Sequence, residues 1–266
     1  MCEDNVTEIR RIREMWDAAA DSYDRWYETF EGAVQARVDW DLLKMHLPEN
    51  KTAGILDAAG GTGRVSFPLA QIGYSVTLCD ISPKMLDRAQ QKASRLGLSL
   101  KITIVECDIH VLPFTDQSFD FVLSWDGSAE ATGELVRVTK KGGKISVFLV
   151  NKFAAAIKRF REDPESAVHL VKSSPAYVQD HDGKRRVDTV QEARDMFEAQ
   201  GVRVIGVYGV CGWLNMLGYP KEVRESHEWD NTLFEQTAEM VLKLSGEPSV
   251  MGMATHLVVY GEKARG

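Results

Sequence analysis

One stretch, Gly54 to Asp80, leaves this chain few choices of fold. An apolar run, Ile55 and Leu56, ends in an acid, Asp57. A glycine-rich turn follows, with Gly60, Gly61 and Gly63. A helical pattern then carries Val65, Phe67, Leu69, Ala70 and Ile72 and stops at Gly73. A second apolar run, Val76 to Cys79, ends in another acid, Asp80. Strand, glycine turn, helix, strand and acid make one βαβ unit. The turn glycines let the backbone approach a ligand with no Cβ in the way. An acid at the end of the second strand accepts hydrogen bonds from both hydroxyls of a ribose. The stretch predicts an adenosine-type ligand lying across the carboxyl ends of parallel strands.

Gly61-Thr62-Gly63-Arg64-Val65-Ser66 approaches the dinucleotide fingerprint, but Ser66 stands where its third glycine would be. Asp80 lies about where that fingerprint puts its ribose acid, so spacing alone is compatible with NAD. Asp57 tips the balance between the ligands. A carboxylate just before the glycine turn repels a pyrophosphate and attracts a methionine ammonium. Asp57-Ala58-Ala59-Gly60-Gly61-Thr62-Gly63 thus resembles motif I of the class I S-adenosylmethionine-dependent methyltransferases. Those proteins bind a cationic sulfonium with an amino-acid tail.

The composition suits such an enzyme and excludes other classes. A chain of 266 residues fits one domain with a sizeable insertion. Hydrophobic residues at 44% and charged residues at 27% are ordinary for a globular protein with a real core. The formal charge of −7 argues against holding nucleic acid by bulk electrostatics, though not against a local basic patch. The cysteines, Cys2, Cys79, Cys107 and Cys211, are scattered, and no C-x-x-C predicts a zinc site or redox pair. No metal is expected. Cys79 and Cys107 read as buried thiols of a reducing cytoplasm. The N-terminal residues lack the layout of a signal peptide, and no apolar run reaches membrane-spanning length. The expected location is cytoplasmic, and no membrane is expected as a partner.

Residues 1–47 show helical spacing, first at Ile9, Ile12, Met15 and Trp16, then at Val34, Val38, Leu42 and Met45. Between them, Trp16-Asp17-Ala18-Ala19-Ala20-Asp21-Ser22-Tyr23-Asp24 is similar to the segment ahead of the fold in many small-molecule methyltransferases. The resemblance implies a lid in which Tyr23 faces the methionine end of the cofactor, with Trp26 and Tyr27 flanking the acceptor. The alternative is a helical cap whose aromatics only cover the sheet.

Beyond the βαβ unit, Ser82 and Pro83 start a helix by a capping hydroxyl and a proline at its first position. Asp80-Ile81-Ser82-Pro83-Lys84-Met85-Leu86 matches the family's second-strand motif. The resemblance implies that Asp80 takes the ribose and that Ile81 and Met85 border the adenosine. The third strand, Lys101 to Asp108, ends in Cys107-Asp108-Ile109 and leads into Leu112-Pro113-Phe114-Thr115-Asp116-Gln117-Ser118-Phe119-Asp120. By the same resemblance Asp108 accepts from the adenine amino group, with Cys107 and Ile109 beside the ring. The fourth strand, Phe119 to Trp125, ends at the family's motif IV position, where Ser124 joins the methionine pocket. Asp126 is a candidate to steer an acceptor amine or hydroxyl, or else caps the next helix. The chain departs from the family here, running quickly through Gly127 and Ser128 toward Glu134, without the longer loop that often carries a histidine.

Lys140-Lys141-Gly142-Gly143-Lys144 reads as a tight turn before a fifth strand, Ile145 to Val150. Residues 151–188 read as an insertion: helices at Phe153–Phe160 and Glu165–Lys172, then a hairpin-like stretch, Tyr177 to Val187, turning at Asp182-Gly183. In this family such insertions shape the acceptor pocket, which makes His169 and His181 weak candidates for contact with substrate. Lys184-Arg185-Arg186 suits either an acidic substrate or a solvated hairpin. Thr189 caps a helix ended by Gly201, Val202 to Val210 is a sixth strand, 220–244 reads as mainly helical, and Thr255 to Gly261 is the final strand.

The expectation is an α/β, Rossmann-like, seven-stranded, mostly parallel sheet, with helices on both faces and an antiparallel last strand. Its parts are a helical lid (1–47), an S-adenosylmethionine-binding core (48–150), an acceptor cap (151–188) and the rest of the core (189–266). Asp57, Ala59, Gly60, Gly61, Gly63 and Ser124 are expected at the methionine end, with Tyr23 above. Catalytic candidates are Tyr23, Asp126 and His181. The expected activity is methyl transfer from S-adenosyl-L-methionine to a small molecule, leaving S-adenosyl-L-homocysteine. The alternatives are a tRNA-modifying methyltransferase, which the C-terminal third loosely resembles, an NAD-dependent oxidoreductase and a non-catalytic cofactor-binding protein.

Overall fold

A computed structural model describes residues 3–125, 129–180 and 183–265. Two helices lead the chain, α1 (Glu3–Ala19) and α2 (Phe30–His46), with a 3-10 turn at Tyr23–Glu28 between them. Thr29 caps α2 by accepting from the Gly32 N–H at 3.1 Å. Phe30, Val34, Val38 and Leu42 form its buried stripe. The βαβ unit follows as β1 (Gly54–Ala58), α3 (Ser66–Gln71) and β2 (Ser75–Asp80), and then α4 (Pro83–Arg95). Ser82 caps α4 as its sequence implies, its hydroxyl accepting from the Met85 N–H at 3.2 Å.

Next come β3 (Ile102–Glu106), β4 (Phe119–Ser124), α5 (Thr132–Val138) and β5 (Thr139–Asn151). The insertion holds α6 (Lys152–Phe160), α7 (Pro164–Lys172), β6 (Ala176–Asp180) and β7 (Gly183–Asp188). The remainder is α8 (Val190–Glu198), β8 (Val202–Val210), α9 (Trp213–Met216), α10 (Lys221–Arg224), α11 (Asn231–Gly246) and β9 (His256–Lys263).

Seven strands run β3-β2-β1-β4-β5-β9-β8, and β9 is antiparallel to both neighbours. The last strand is thus inserted between β5 and β8. Among the described residues the sheet has nine strands because the hairpin β6–β7 joins it: β7 runs beside the end of β5, pairing Val150 with Val187 and Asn151 with Asp188. Lys140 to Lys144 is not a free turn. It is an irregularity within β5, whose register against β4 jumps from Phe119–Thr139 to Phe121–Lys144. The stretch expected to be mainly helical from residue 220 holds two helices, α10 and α11, with 225–230 non-helical between them.

Alternation along the strands feeds two cores. Ile55, Phe121 and Leu123 face α2, α4 and α11 on one side of the sheet; Leu56, Val122 and Val147 face α5 and α8 on the other. Each side chain of this kind stabilises the fold by about 2 kcal/mol through burial. The carboxyl ends of β1, β2, β4, β5 and β8 lie along one edge of the sheet, where the glycine turn, Asp80, Trp125, Asn151 and Cys211 emerge.

Candidate active site

The glycine turn leaves β1 in a left-handed bend. Ala59 has φ +60°, Gly61 +53° and Gly63 +84°. A left-handed alanine costs about 1–3 kcal/mol and persists only where its surroundings enforce it. Here the Gly60 N–H donates to the Cys79 carbonyl at 3.0 Å, pinning the turn to the end of β2. The backbone at Gly60 passes so close to Asp57 that a Cβ would fall 2.8 Å from its carboxyl carbon.

Two buried carboxylates flank this turn. Asp57 accepts from the Ser66 hydroxyl at 2.6 Å. Burial pushes its carboxyl up to about 6, and Asp80 adds to the rise; Ser66 and the Arg64 guanidinium act the other way. Asp80 accepts from the backbone N–H groups of Gly61 and Ser82, each at 2.9 Å. Burial raises its carboxyl too, against the pull of those N–H groups. Met85 lies beside Gly61 and Asp80, and the Cys107 N–H donates to the Asp80 carbonyl at 3.0 Å. The fold therefore brings Asp57, Ala59, Gly60, Gly61, Gly63, Asp80, Ile81, Met85 and Cys107 together at one turn. Ser124 ends β4 nearby, and its hydroxyl is buried with no hydrogen-bond partner among the described residues. An acid on backbone donors, a left-handed turn and an orphaned buried hydroxyl are a donor set that an adenosyl ligand with an amino-acid tail fits.

Asp108 lies at the end of the strand next to Asp80. One of its oxygens accepts from both the backbone N–H and the ring Nδ1 of His110, at 2.9 and 2.7 Å. That partner holds the carboxyl below its ordinary range, and Asp108 in turn raises the imidazole. Ile109 is buried in the lower core with Leu112. His110 was missed from sequence; its signal is an imidazole two residues beyond a strand-end acid.

The N-terminal segment is fastened over this edge. Asp17 accepts from the Ser82 hydroxyl at 2.6 Å and the Lys84 N–H at 3.2 Å. Asp21 pairs with Arg88, and Asp24 with Lys92 and the Thr62 hydroxyl. Three aspartates on one side of the segment thus meet Lys84, Arg88 and Lys92, one per turn of α4. Tyr23 lies between the rings of Trp16 and Tyr27, each 5.9 Å away.

A second set of residues borders the site from the side of α2. Arg64, directly after the glycine turn, lies 4.5 Å from the Tyr27 ring centre and 5.9 Å from that of Trp125. It pairs with Asp39 at 3.2 Å, and Asp39 accepts from Gln35 at 2.5 Å. Gln35 accepts from the Cys211 N–H at 2.9 Å, where Cys211 has φ +65°. Sequence reasoning passed over this group. Its signal is visible in retrospect: Gln35 and Asp39 interrupt the apolar stripe of α2 at a spacing of four.

Two catalytic candidates, Asp126 and His181, lie outside the described residues, as do Gly127, Ser128 and Asp182. His169 is exposed on α7, its ring 3.3 Å from the Ser173 hydroxyl, away from the glycine turn. Of the basic triplet, Lys184 lies over the Tyr177 ring at 4.4 Å and Arg186 pairs with Asp188 at 2.8 Å. The hairpin meets the N-terminal segment where Gly183 abuts the Glu8–Arg11 ion pair.

Comparison with known proteins agrees with this geometry. Residues 55–143 match the family model described as "Methyltransferase domain". An uncharacterized protein of Mycobacterium tuberculosis is 39% identical over 99 residues, covering 35% of this chain and 35% of its own. A ubiquinone/menaquinone biosynthesis C-methyltransferase, UbiE, of Allorhizobium ampelinum is 31% identical over 147 residues, covering 51% of this chain and 57% of its own. The chain thus spans about a third to a little over half of the length of these relatives. In fold, an S-adenosylmethionine-dependent methyltransferase from Thermotoga maritima superposes with a TM-score of 0.57 at 18% identity, over 94% of this chain and 99% of its own. Residues 55–143 thus match a methyltransferase domain, and the fold they belong to is shared with solved S-adenosylmethionine-dependent methyltransferases.

Proposed function

We propose that this protein transfers a methyl group from S-adenosylmethionine to a small-molecule acceptor. The observation that carries the reading is the Asp57–Asp80 pair around the glycine turn, with Asp80 held by the Gly61 and Ser82 N–H groups at the end of β2. When bound, the cofactor supplies an activated methyl on a sulfonium, so the protein has chiefly to place a nucleophile in line with the methyl–sulfur bond. In this reading Asp57, with Ala59, Gly60, Gly61 and Gly63, holds the methionine end, and the Ser124 hydroxyl finds its partner there. Asp80 takes the ribose between Ile81 and Met85. Asp108, oriented by His110, takes the adenine beside Cys107 and Ile109.

Residues 1–47 act as the lid, with Tyr23 above the methionine end. Arg64, Tyr27 and Trp125 border the acceptor, and residues 151–188 cap it. A base is needed only for an acceptor protonated at working pH, and Asp126 and His181 are the candidates for that role. The relatives named for ubiquinone and menaquinone biosynthesis favour a quinone-type ring and attack by carbon.

Calorimetric titration with S-adenosylmethionine, S-adenosylhomocysteine and NAD, repeated on Asp80→Ala, tests the reading. The expected result is binding of the first two and its loss in the variant. Binding of NAD alone overturns it. A salt-sensitive shift of tRNA, with no turnover of small acceptors, would move the acceptor class to RNA.

A further inference from the structure

The outer face of the insertion is apolar in a way the rest of the surface is not. Seventeen large hydrophobic side chains are exposed among the described residues, and six of them fall between 153 and 177. Phe153, Ile157 and Phe160 recur at i, i+4 and i+7 on α6, so they share a face. Val168 and Val171 recur at i and i+3 on α7, and Tyr177 stands on β6. The inward residues of the same elements, Ala156, Leu170, Ala176 and Val187, pack together beneath them. Between 39% and 59% of each of the six outer side chains is left open to solvent.

Basic side chains border the stripe. Lys158, Arg159, Arg161, Lys172 and Lys184 are exposed, against Glu162 and Glu165 as the exposed acids of the described segment. Residues 151–188 carry eight basic and six acidic side chains in a chain whose formal charge is −7. The positive charge is concentrated where the apolar surface is. Aromatic and aliphatic residues on one face with Lys and Arg at its margin is the pattern of helices that lie in a lipid headgroup layer. No described helix is long and apolar enough to cross a membrane, so any such contact is peripheral.

We propose that α6 and α7 dock this protein on an anionic phospholipid surface, with Phe153, Ile157 and Phe160 entering the headgroup layer and Lys158, Arg159 and Arg161 meeting the lipid phosphates. The charge excess selects a negatively charged bilayer over a neutral apolar partner. Because α6 follows directly on Asn151, where β5 reaches the edge that bears the glycine turn, docking sets that edge toward the lipid. The inference does not depend on the methyltransferase reading.

The test is co-sedimentation of the full chain, without cofactor, with vesicles of phosphatidylglycerol and phosphatidylcholine or of phosphatidylcholine alone. Expected is binding to the anionic vesicles at least tenfold tighter than to the neutral ones, weakened by salt. Ile157→Ser with Phe160→Ser should weaken it at least tenfold. Lys158→Glu with Arg159→Glu and Arg161→Glu should weaken it on the order of a hundredfold, at about fivefold per basic residue. These positions are exposed, so unchanged thermal melts are expected and separate docking from folding. No binding to anionic vesicles, or equal binding by the variants, overturns the proposal. Sedimentation velocity showing a dimer that the same substitutions dissociate assigns the face to a second copy of the chain and also overturns it.

Discussion

Residues 54–125 and residues 151–188 reach the same edge of the sheet but are built in opposite ways. The first segment spends its burial on chemistry. Asp57 and Asp80 are both buried, Ala59 is left-handed and the Ser124 hydroxyl has no partner among the described residues, yet the segment sits on two full cores. The second pairs its buried Lys152 with Glu192 and the Ser173 carbonyl and its buried Asp188 with Arg186, though one Asp188 oxygen has no partner among the described residues; it rests on a cluster of four buried apolar side chains and leaves its apolar face outside. A region that must hold one ligand in one geometry is over-supported so that it can carry strain. A region resting on four buried apolar side chains has only enough core to stay folded.

Core truncation should separate the two most sharply. Phe121→Ala, under the glycine turn's parent sheet, should cost about 3–5 kcal/mol of global stability, read by urea denaturation. Leu170→Ala should cost about 2 kcal/mol, with faster hydrogen exchange confined to residues 151–188 and cofactor affinity within twofold of wild type. A global loss in both would break the comparison by making the insertion part of the main cooperative unit.

Asp57→Asn tests whether the first region really carries strain. The folded carboxyl keeps its proton up to about 6, whereas the unfolded chain releases it near 4. The folded state therefore binds more protons between those values, and stability falls as pH rises through that window. The penalty is complete above about pH 6 and absent below about pH 4. Removing it should stabilise the protein by up to about 3 kcal/mol at pH 7, with no gain at pH 4, while S-adenosylmethionine affinity falls. Destabilisation at pH 7 would show that this charge serves the fold instead.

Smaller effects sharpen the boundary. Asn151 closes β5 by donating to the Gly252 and Ala254 carbonyls, both at 2.7 Å, and by accepting from the Phe153 N–H at 3.0 Å. Asn151→Ala should cost about 2 kcal/mol and loosen the insertion first, seen as protease cleavage within 151–188. At the far end, Thr189 and Glu192 form a reciprocal cap on α8. Thr189→Ala should cost about 1 kcal/mol of thermal stability and leave cofactor binding unchanged.

The same contrast explains what was readable in the sequence. The glycine turn, both acids and the cap at Ser82 follow from local residue order, because each acts on neighbours within a few positions. The helices and hairpin of the insertion were equally readable, since they too are local. Arg64, Asp39, Gln35 and Cys211 were not, because their meeting joins β1's turn, α2 and β8 across up to 176 residues of chain. The three aspartates that fasten the N-terminal segment belong with them: Asp17 and Ser82 are 65 residues apart. The strand count missed by two for a different reason. A hairpin can be recognised from its turn, but whether it joins the sheet depends on where β4 stops and leaves the end of β5 open for β7.

The position of β9 has a consequence during synthesis. It is the latest-made of the nine strands, yet it lies between β5 and β8, with Leu257, Val258, Val259 and Tyr260 all buried. Until it emerges, both neighbours present bare edges on which another nascent copy can pair. The half of the protein that reads as a finished ligand-binding unit is thus made early. The seam that keeps one copy from knitting into another is sewn last.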